Sequence, residues 1–318
     1  MSLFLGLSPR LPHVEQPEVP DRLAPFENVS VPRPSGRGAL TATWYPAYHR
    51  PRGAVLLLHL WLVWGKSYFH LRGRLTALRT AGYHVLTLDF AGFGGSGARY
   101  GFFDRDVEAG LELLRQRAGE LPLHVWGVSA GGYWAHQVLS RTNLVSGAMF
   151  EDVSPHLLEW SWRMVPAGRP CYRFFRGFFR SSYRYLDIRG HAGSMSLGAV
   201  AYVSGERDRG VLPEDTRTLA ELAGARHRII PGADHLGSIK IAGDEVIALG
   251  LETFRRAEER RSPVRHGPRS LPESDAPDRF VPSSGPSLHQ AVLAPAGGQW
   301  LAGPLELSHR ESGRLGSP

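Results

Sequence analysis

The chain has a single cysteine, Cys171, among its 318 residues. That excludes an internal disulfide and a cysteine-rich zinc site, and it fits a reducing compartment. It also lacks an apolar run long enough for a bilayer. The longest, residues 54–64, is interrupted by His59, whereas a spanning helix needs ~20 residues. The opening MSLFLGLSPR has only a short apolar run and one late arginine, which falls short of a secretory signal. A cytoplasmic protein without a transmembrane segment is expected. No recognisable nucleic-acid module accompanies the net charge of +7, so the charge reads as an arginine-rich, solvated surface and nucleic acid is not an expected partner.

At 42% hydrophobic content the chain can bury one large α/β core. Residues 1–25 are proline-rich and aperiodic, and read as an N-terminal arm. From Phe26 onward, ENVSVPRP and ALTATWYP alternate apolar with polar residues around the turn Ser35-Gly36-Arg37-Gly38, as a strand pair does. The run from Ala54 to His59 is continuously apolar, the mark of a strand buried on both faces of a parallel sheet.

Helical and strand patterns then alternate. Helices are expected over 68–81, 104–120, 130–141, 216–224 and 239–257, and strands over 84–89, 123–127, 147–151, 199–204 and 225–230. The expected fold class is therefore α/β, with a mainly parallel, doubly wound sheet whose functional groups gather at the carboxyl ends of its strands. Beyond Arg261 the last 57 residues hold nine prolines, seven glycines and nine serines without a period. Residues 259–318 thus read as a disordered tail.

Gly127-Val128-Ser129-Ala130-Gly131 is a G-x-S-x-G pentapeptide. A chain with 37 glycines can produce one by chance, so its weight comes from context. An apolar strand precedes it and a helical pattern follows, which is the setting of a nucleophile elbow. A serine hydroxyl needs a histidine to take its proton and a carboxylate to orient that histidine. Asp208, in Gly205-Glu206-Arg207-Asp208, and His235, in Gly232-Ala233-Asp234-His235, each follow a different strand. Glu151 and Asp152, at the end of the strand after the elbow helix, are alternative positions for the acid.

These residues resemble the α/β-hydrolase family over about residues 26–258. Four features carry the resemblance: the elbow, the G-x-x-D loop, the G-x-D-H loop before the last helix, and Asp89-Phe90-Ala91-Gly92-Phe93-Gly94-Gly95-Ser96, which is similar to the family's D-x-R-G-x-G-x-S turn. The resemblance implies a core of residues 26–151 and 198–258, with a short helical cap inserted at 152–197. It also implies a catalytic triad of Ser129, Asp208 and His235, in the family's chain order. The oxyanion would be held by the backbone N–H groups of Trp61 and Ala130. The sequence departs from the pattern at Leu60, where the family has glycine after His59, and at Ala91, where it has arginine. The strand pair and Trp44-Tyr45-Pro46 resemble the serine aminopeptidase-like and dienelactone-hydrolase-like branches without selecting one.

Within the expected cap, Arg173, Arg176, Arg180 and Arg184 fall on one helical stripe, beside a stripe of Tyr172, Phe175, Phe179 and Tyr183. The aromatics would face the core or an acyl pocket, and the arginines would face water or an anionic membrane surface. The function expected is a serine hydrolase acting on a small-molecule carboxylic ester or related acyl bond, with no metal and no organic cofactor. A peptidase or amidase, a thioesterase or an acyltransferase would use the same triad. A non-catalytic binding protein on a decayed hydrolase fold is the rival from another class.

Overall fold

The computed structural model describes residues 18–33, 38–61, 65–96, 103–164, 174, 177 and 184–260. Most of the N-terminal arm, nearly all of the arginine and aromatic stripes, and the tail from residue 261 lie outside the described residues.

Eight strands form one sheet: β1 (Glu27–Pro32), β2 (Ala39–Tyr45), β3 (Gly53–Leu58), β4 (Tyr83–Leu88), β5 (Leu123–Val128), β6 (Val145–Glu151), β7 (Ala199–Gly205) and β8 (Arg226–Ile230). Their order is β1-β2-β4-β3-β5-β6-β7-β8. The β1–β2 and β2–β4 pairs are antiparallel and the rest parallel. This is the mainly parallel, doubly wound α/β sheet that the alternating pattern implies.

Side chains alternate between the faces, and both faces are buried. Ala54, Leu56, Leu58, Val125, Ala148, Phe150 and Tyr202 point into one core. Val55, Leu57, Trp126, Val128, Met149, Ala201 and Val203 point into the other. The first core is closed by helices α2 (Phe103–Ala118), α3 (Ala130–Leu139), α5 (Arg189–Ser194) and α6 (Pro213–Leu222). The second is closed by α1 (Arg74–Thr80), α7 (Ser238–Ile241) and α8 (Gly243–Arg260). Helix α4 (Leu157–Met164) lies in the region between β6 and β7. That region is tied at its base, where His156 bridges Asp187 and the Ile188 N–H donates to the Pro155 carbonyl at 2.9 Å. Among the described residues, no helix is long and apolar enough to cross a membrane.

Three helix expectations need correction. The helix expected over 68–81 is a 3-10 helix, Gly65–His70, followed by α1, because Arg72 (φ 63°) and Gly73 (φ 77°) turn the chain left-handed between them. The helix expected from 216 begins at Pro213, whose fixed φ suits a first helical turn. The final helix is split into α7 and α8 at Ala242, which leaves helical geometry (φ −129°, ψ 47°).

Beneath the elbow lies a fully buried ion pair that composition did not reveal. Arg74 on α1 donates to both oxygens of Glu151, at 2.9 and 2.6 Å, and Trp126 Nε1 donates to Glu151 Oε1 at 2.6 Å. The Glu151 backbone carbonyl accepts the Ser129 N–H at 2.8 Å, so the same residue anchors the elbow. Removing one partner of such a pair strands the other charge in the core, at a cost of about 3–5 kcal/mol. Glu151→Gln should therefore lower the urea midpoint by that equivalent, and Arg74→Met with Glu151→Leu should recover much of the loss. A Glu151→Gln change under about 1 kcal/mol would show that the pair contributes little.

Candidate active site

Ser129 joins β5 to α3 with φ 48° and ψ −114°, a conformation sterically costly for a residue with a Cβ. Surrounding contacts hold it there: besides the Glu151 bond, its carbonyl accepts the Tyr133 N–H at 2.9 Å. The two motif glycines are required by crowding. A Cβ on Gly127 would stand 2.5 Å from the Gly132 Cα, and one on Gly131 would stand 2.3 Å from the Leu58 carbonyl oxygen.

Three side chains from three strand ends meet at this turn. Ser129 Oγ lies 3.3 Å from His235 Nε2, and His235 Nδ1 lies 2.6 Å from Asp208 Oδ2. Asp208 is buried, and its Oδ1 accepts the N–H groups of Gly210 and Val211, each at 2.8 Å. With Oδ1 committed to the backbone, Oδ2 is free to face the imidazole. The acid-bearing and histidine-bearing loops are laced together, since the Glu206 and Arg207 N–H groups donate to the Ile230 and Ala233 carbonyls at 3.0 and 2.7 Å.

Burial opposes a charge on His235, but the hydrogen bond and negative charge of Asp208 outweigh it, with Asp152 and Asp234 adding to them. The imidazole is consequently held above its ordinary pKa. Its bond to Asp208 keeps the proton on Nδ1 and leaves Nε2 free to accept from Ser129.

After β3, Leu60 needs no left-handed backbone. Positive φ among the described non-glycine residues occurs at Arg72, Ser129, Asp152 and Leu236, and Leu60 is not one of them. Within hydrogen-bonding distance, His59 Nδ1 lies 2.6 Å from the Leu60 carbonyl, and the Phe90 N–H donates to His59 Nε2 at 3.1 Å. These two partners assign the proton to Nδ1, and burial favours this neutral ring. Because the Leu60–Trp61 peptide is planar, tying its carbonyl to His59 turns the Trp61 N–H the opposite way. The Trp61 ring packs edge-on against Phe93 and Phe103. Ala130 opens α3, so its N–H has no carbonyl of its own helix to bond.

The Asp89–Ser96 turn is a brace. The Asp89 carboxylate accepts from Thr41 Oγ1, Lys66 Nζ, and the N–H groups of Lys66 and Gly95 at 2.6–3.0 Å. At Ala91, where the resemblance would place arginine, the backbone N–H instead donates to Asp106 at 2.9 Å. From the region between β6 and β7, α4 brings the Trp160 ring to 6.4 Å from that of His235.

Sequence reasoning placed Glu151 and Asp152 together as alternative acids, and the structure separates them. Glu151 turns down to Arg74. Asp152 is buried beside His235 and Asp208, with one ligand-type atom of each within 4.8 Å of the others. These three could in principle offer a cation three donors, but Asp208 is already engaged with His235 and two N–H groups, and Asp152 with two more. The arrangement suits proton transfer. A nucleophile, a base in line with it and an acid behind the base constitute the parts for attack on a carbonyl.

The family description "serine aminopeptidase, S33" matches residues 49–191. That span includes Ser129 and ends before Asp208 and His235. No curated protein matches the chain by sequence. Among solved structures, an esterase from Pyrococcus furiosus is similar at 20% identity and a TM-score of 0.64, over 77% of this chain and 98% of that one. A thermostable carboxyl esterase from Bacillus coagulans, in complex with glycerol, is similar at 14% identity and 0.57, over 72% and 99%. A puromycin-hydrolysing peptidase from Mycobacterium tuberculosis is similar at 16% identity and 0.57, over 76% of this chain and 40% of that one.

Proposed function

We propose that this chain, which has the α/β-hydrolase fold, is a serine hydrolase that cleaves a carboxylic ester or related acyl bond through an acyl-enzyme. The observation that carries this reading is the continuous line from Ser129 Oγ to His235 Nε2 (3.3 Å) and from His235 Nδ1 to Asp208 Oδ2 (2.6 Å). Ser129 attacks the carbonyl carbon while His235 takes its proton. The resulting imidazolium is stabilised by Asp208. The N–H groups of Ala130 and Trp61 receive the oxyanion, with the dipole of α3 directed at it. His235 then returns the proton to the leaving group, and water repeats the sequence to release the acid.

Ester cleavage is supported by the esterases among the structural neighbours. Amide or peptide cleavage is the second reading, favoured by the serine aminopeptidase match. Trp160, beside His235, and Trp61, beside Phe93 and Phe103, give the neighbourhood an aromatic character that suits an apolar acyl group. A cytoplasmic setting fits a chain with one cysteine. The arginine and aromatic stripes of the inserted region, read from sequence as a possible membrane contact, lie almost wholly outside the described residues.

The test is turnover of nitrophenyl esters of increasing acyl length against matched aminoacyl anilides, across pH. Ester turnover is expected to exceed anilide turnover. Because only the neutral imidazole accepts the serine proton, kcat/KM should rise with pH through an inflection above the ordinary histidine value of 6.5. Faster anilide turnover would favour the peptidase reading, and an inflection below 6.5 would contradict the assigned surroundings of His235.

A further inference from the structure

Asp152 takes no part in the mechanism above, yet its carboxylate bonds to both the turn that carries Asp208 and the loop that carries His235. It is fully buried and sits at φ 49°, which a non-glycine residue adopts only when its neighbours demand it. Its Oδ1 accepts the Gly205 N–H at 3.1 Å, at the start of the turn that carries Asp208. Its Oδ2 accepts the N–H of Leu236, the residue after His235, at 2.9 Å. Leu236 is itself left-handed (φ 64°). Three of the four positive-φ non-glycine residues among those described, Ser129, Asp152 and Leu236, therefore belong to this one cluster. The Asp152 N–H donates to the Val203 carbonyl at 2.9 Å, fixing the clamp to β7.

We propose that Asp152 is a positioning residue for His235: its carboxylate clamps the acid-bearing turn to the histidine-bearing loop and sets a second negative charge beside the imidazole. The proposal rests on the serine-hydrolase reading and adds a residue to it. A carboxylate suits the task because two N–H donors need two acceptor oxygens, and asparagine offers one. The charged groups facing Asp152 are His235 and Asp208 from the two loops, and Glu151 from its own strand, whose charge is met by Arg74. Burial, reinforced by Asp208 and Glu151, pushes the Asp152 carboxyl up to about 7, against the opposing pull of His235 and the Leu236 N–H.

The experiment compares wild type, Asp152→Asn and Asp244→Asn in the full chain. It reads kcat and KM on a nitrophenyl ester across pH, the rate of fluorophosphonate labelling, and thermal melting. Asp152→Asn should lower kcat by about 10- to 100-fold through misplacement of His235, with KM changed little. Its acid inflection should move to lower pH, since a negative neighbour that favoured the imidazolium is gone. Asp244 is exposed in the first turn of α8, so Asp244→Asn should keep kcat close to wild type. Unchanged kcat in Asp152→Asn overturns the proposal. So does a fall in kcat with an unmoved inflection, which would make Asp152 a fold support only. Should Asp152→Asn melt below the assay temperature, the comparison is repeated below its melting temperature, where kcat and the acid inflection decide in the same way. Absence of labelling in wild type would fault the serine-hydrolase reading itself, an outcome distinct from failure of the clamp.

Discussion

Ser129→Ala should abolish turnover, with a loss of roughly 10⁶-fold in kcat, the scale seen when the nucleophile of a serine hydrolase is removed. Among the described residues, His235 Nε2 has no side-chain hydroxyl but that of Ser129 paired with it. Substrate binding should survive, because the donors of the oxyanion site are backbone N–H groups that the substitution leaves in place. The strain at this position adds a second expectation. A residue at φ 48° and ψ −114° pays for its Cβ, so Ser129→Gly should be as inactive as Ser129→Ala but more stable, by about 1–3 kcal/mol. Thermal melts of the two variants and ester assays at high enzyme concentration check both statements. A Ser129→Ala variant with more than about 1% of wild-type kcat would remove Ser129 from the chemistry.

Asp208→Asn should lower kcat by about 10⁴-fold, for a reason different from loss of the nucleophile. The asparagine oxygen can keep the two backbone bonds that Asp208 Oδ1 receives from Gly210 and Val211. Its amide NH₂ then faces His235 Nδ1, which must accept and so gives up its proton. The proton moves to Nε2, the nitrogen that has to receive one from Ser129. Fold and substrate affinity should be retained while the base is switched off. Loss of the carboxylate charge also removes the chief support of the imidazolium, so the remaining activity should show its acid inflection at lower pH. A matching loss in Glu151→Gln with unchanged stability, and none in Asp208→Asn, would assign the acid elsewhere.

Much of this site is legible in the sequence because it follows from crowding and from periodicity. The continuously apolar Ala54–Leu58 can only be a strand buried on both faces, and Gly127 and Gly131 mark where chains approach too closely for a side chain. Each proposed triad residue sits in a glycine-bearing loop just past a strand, so position and chemistry are read together. The oxyanion loop is half legible. Leu60 reads as a departure that restricts the backbone, yet Leu60 is not among the positive-φ residues, and its carbonyl lies within hydrogen-bonding distance of the His59 ring, an arrangement that no local pattern encodes.

Asp152 and Arg74 are illegible for a related reason. An acid at a strand end reads as a candidate for catalysis, and its left-handed backbone carries no glycine to betray it. An arginine in a helix reads as solvated surface, and only the long-range partner Glu151, on a strand 77 residues away, makes it a core residue. Where Arg72 and Gly73 break the first helix, the glycine was a visible signal that the apolar pattern around it obscured.

The central claim, that Ser129 is an activated nucleophile, is tested most directly by treating the full chain with a fluorophosphonate and locating the adduct by peptide mass spectrometry. The expected result is a single adduct on the peptide containing Ser129, forming faster as pH rises through the His235 inflection and absent from His235→Ala. An adduct on another residue, or none at all on folded protein, would contradict it.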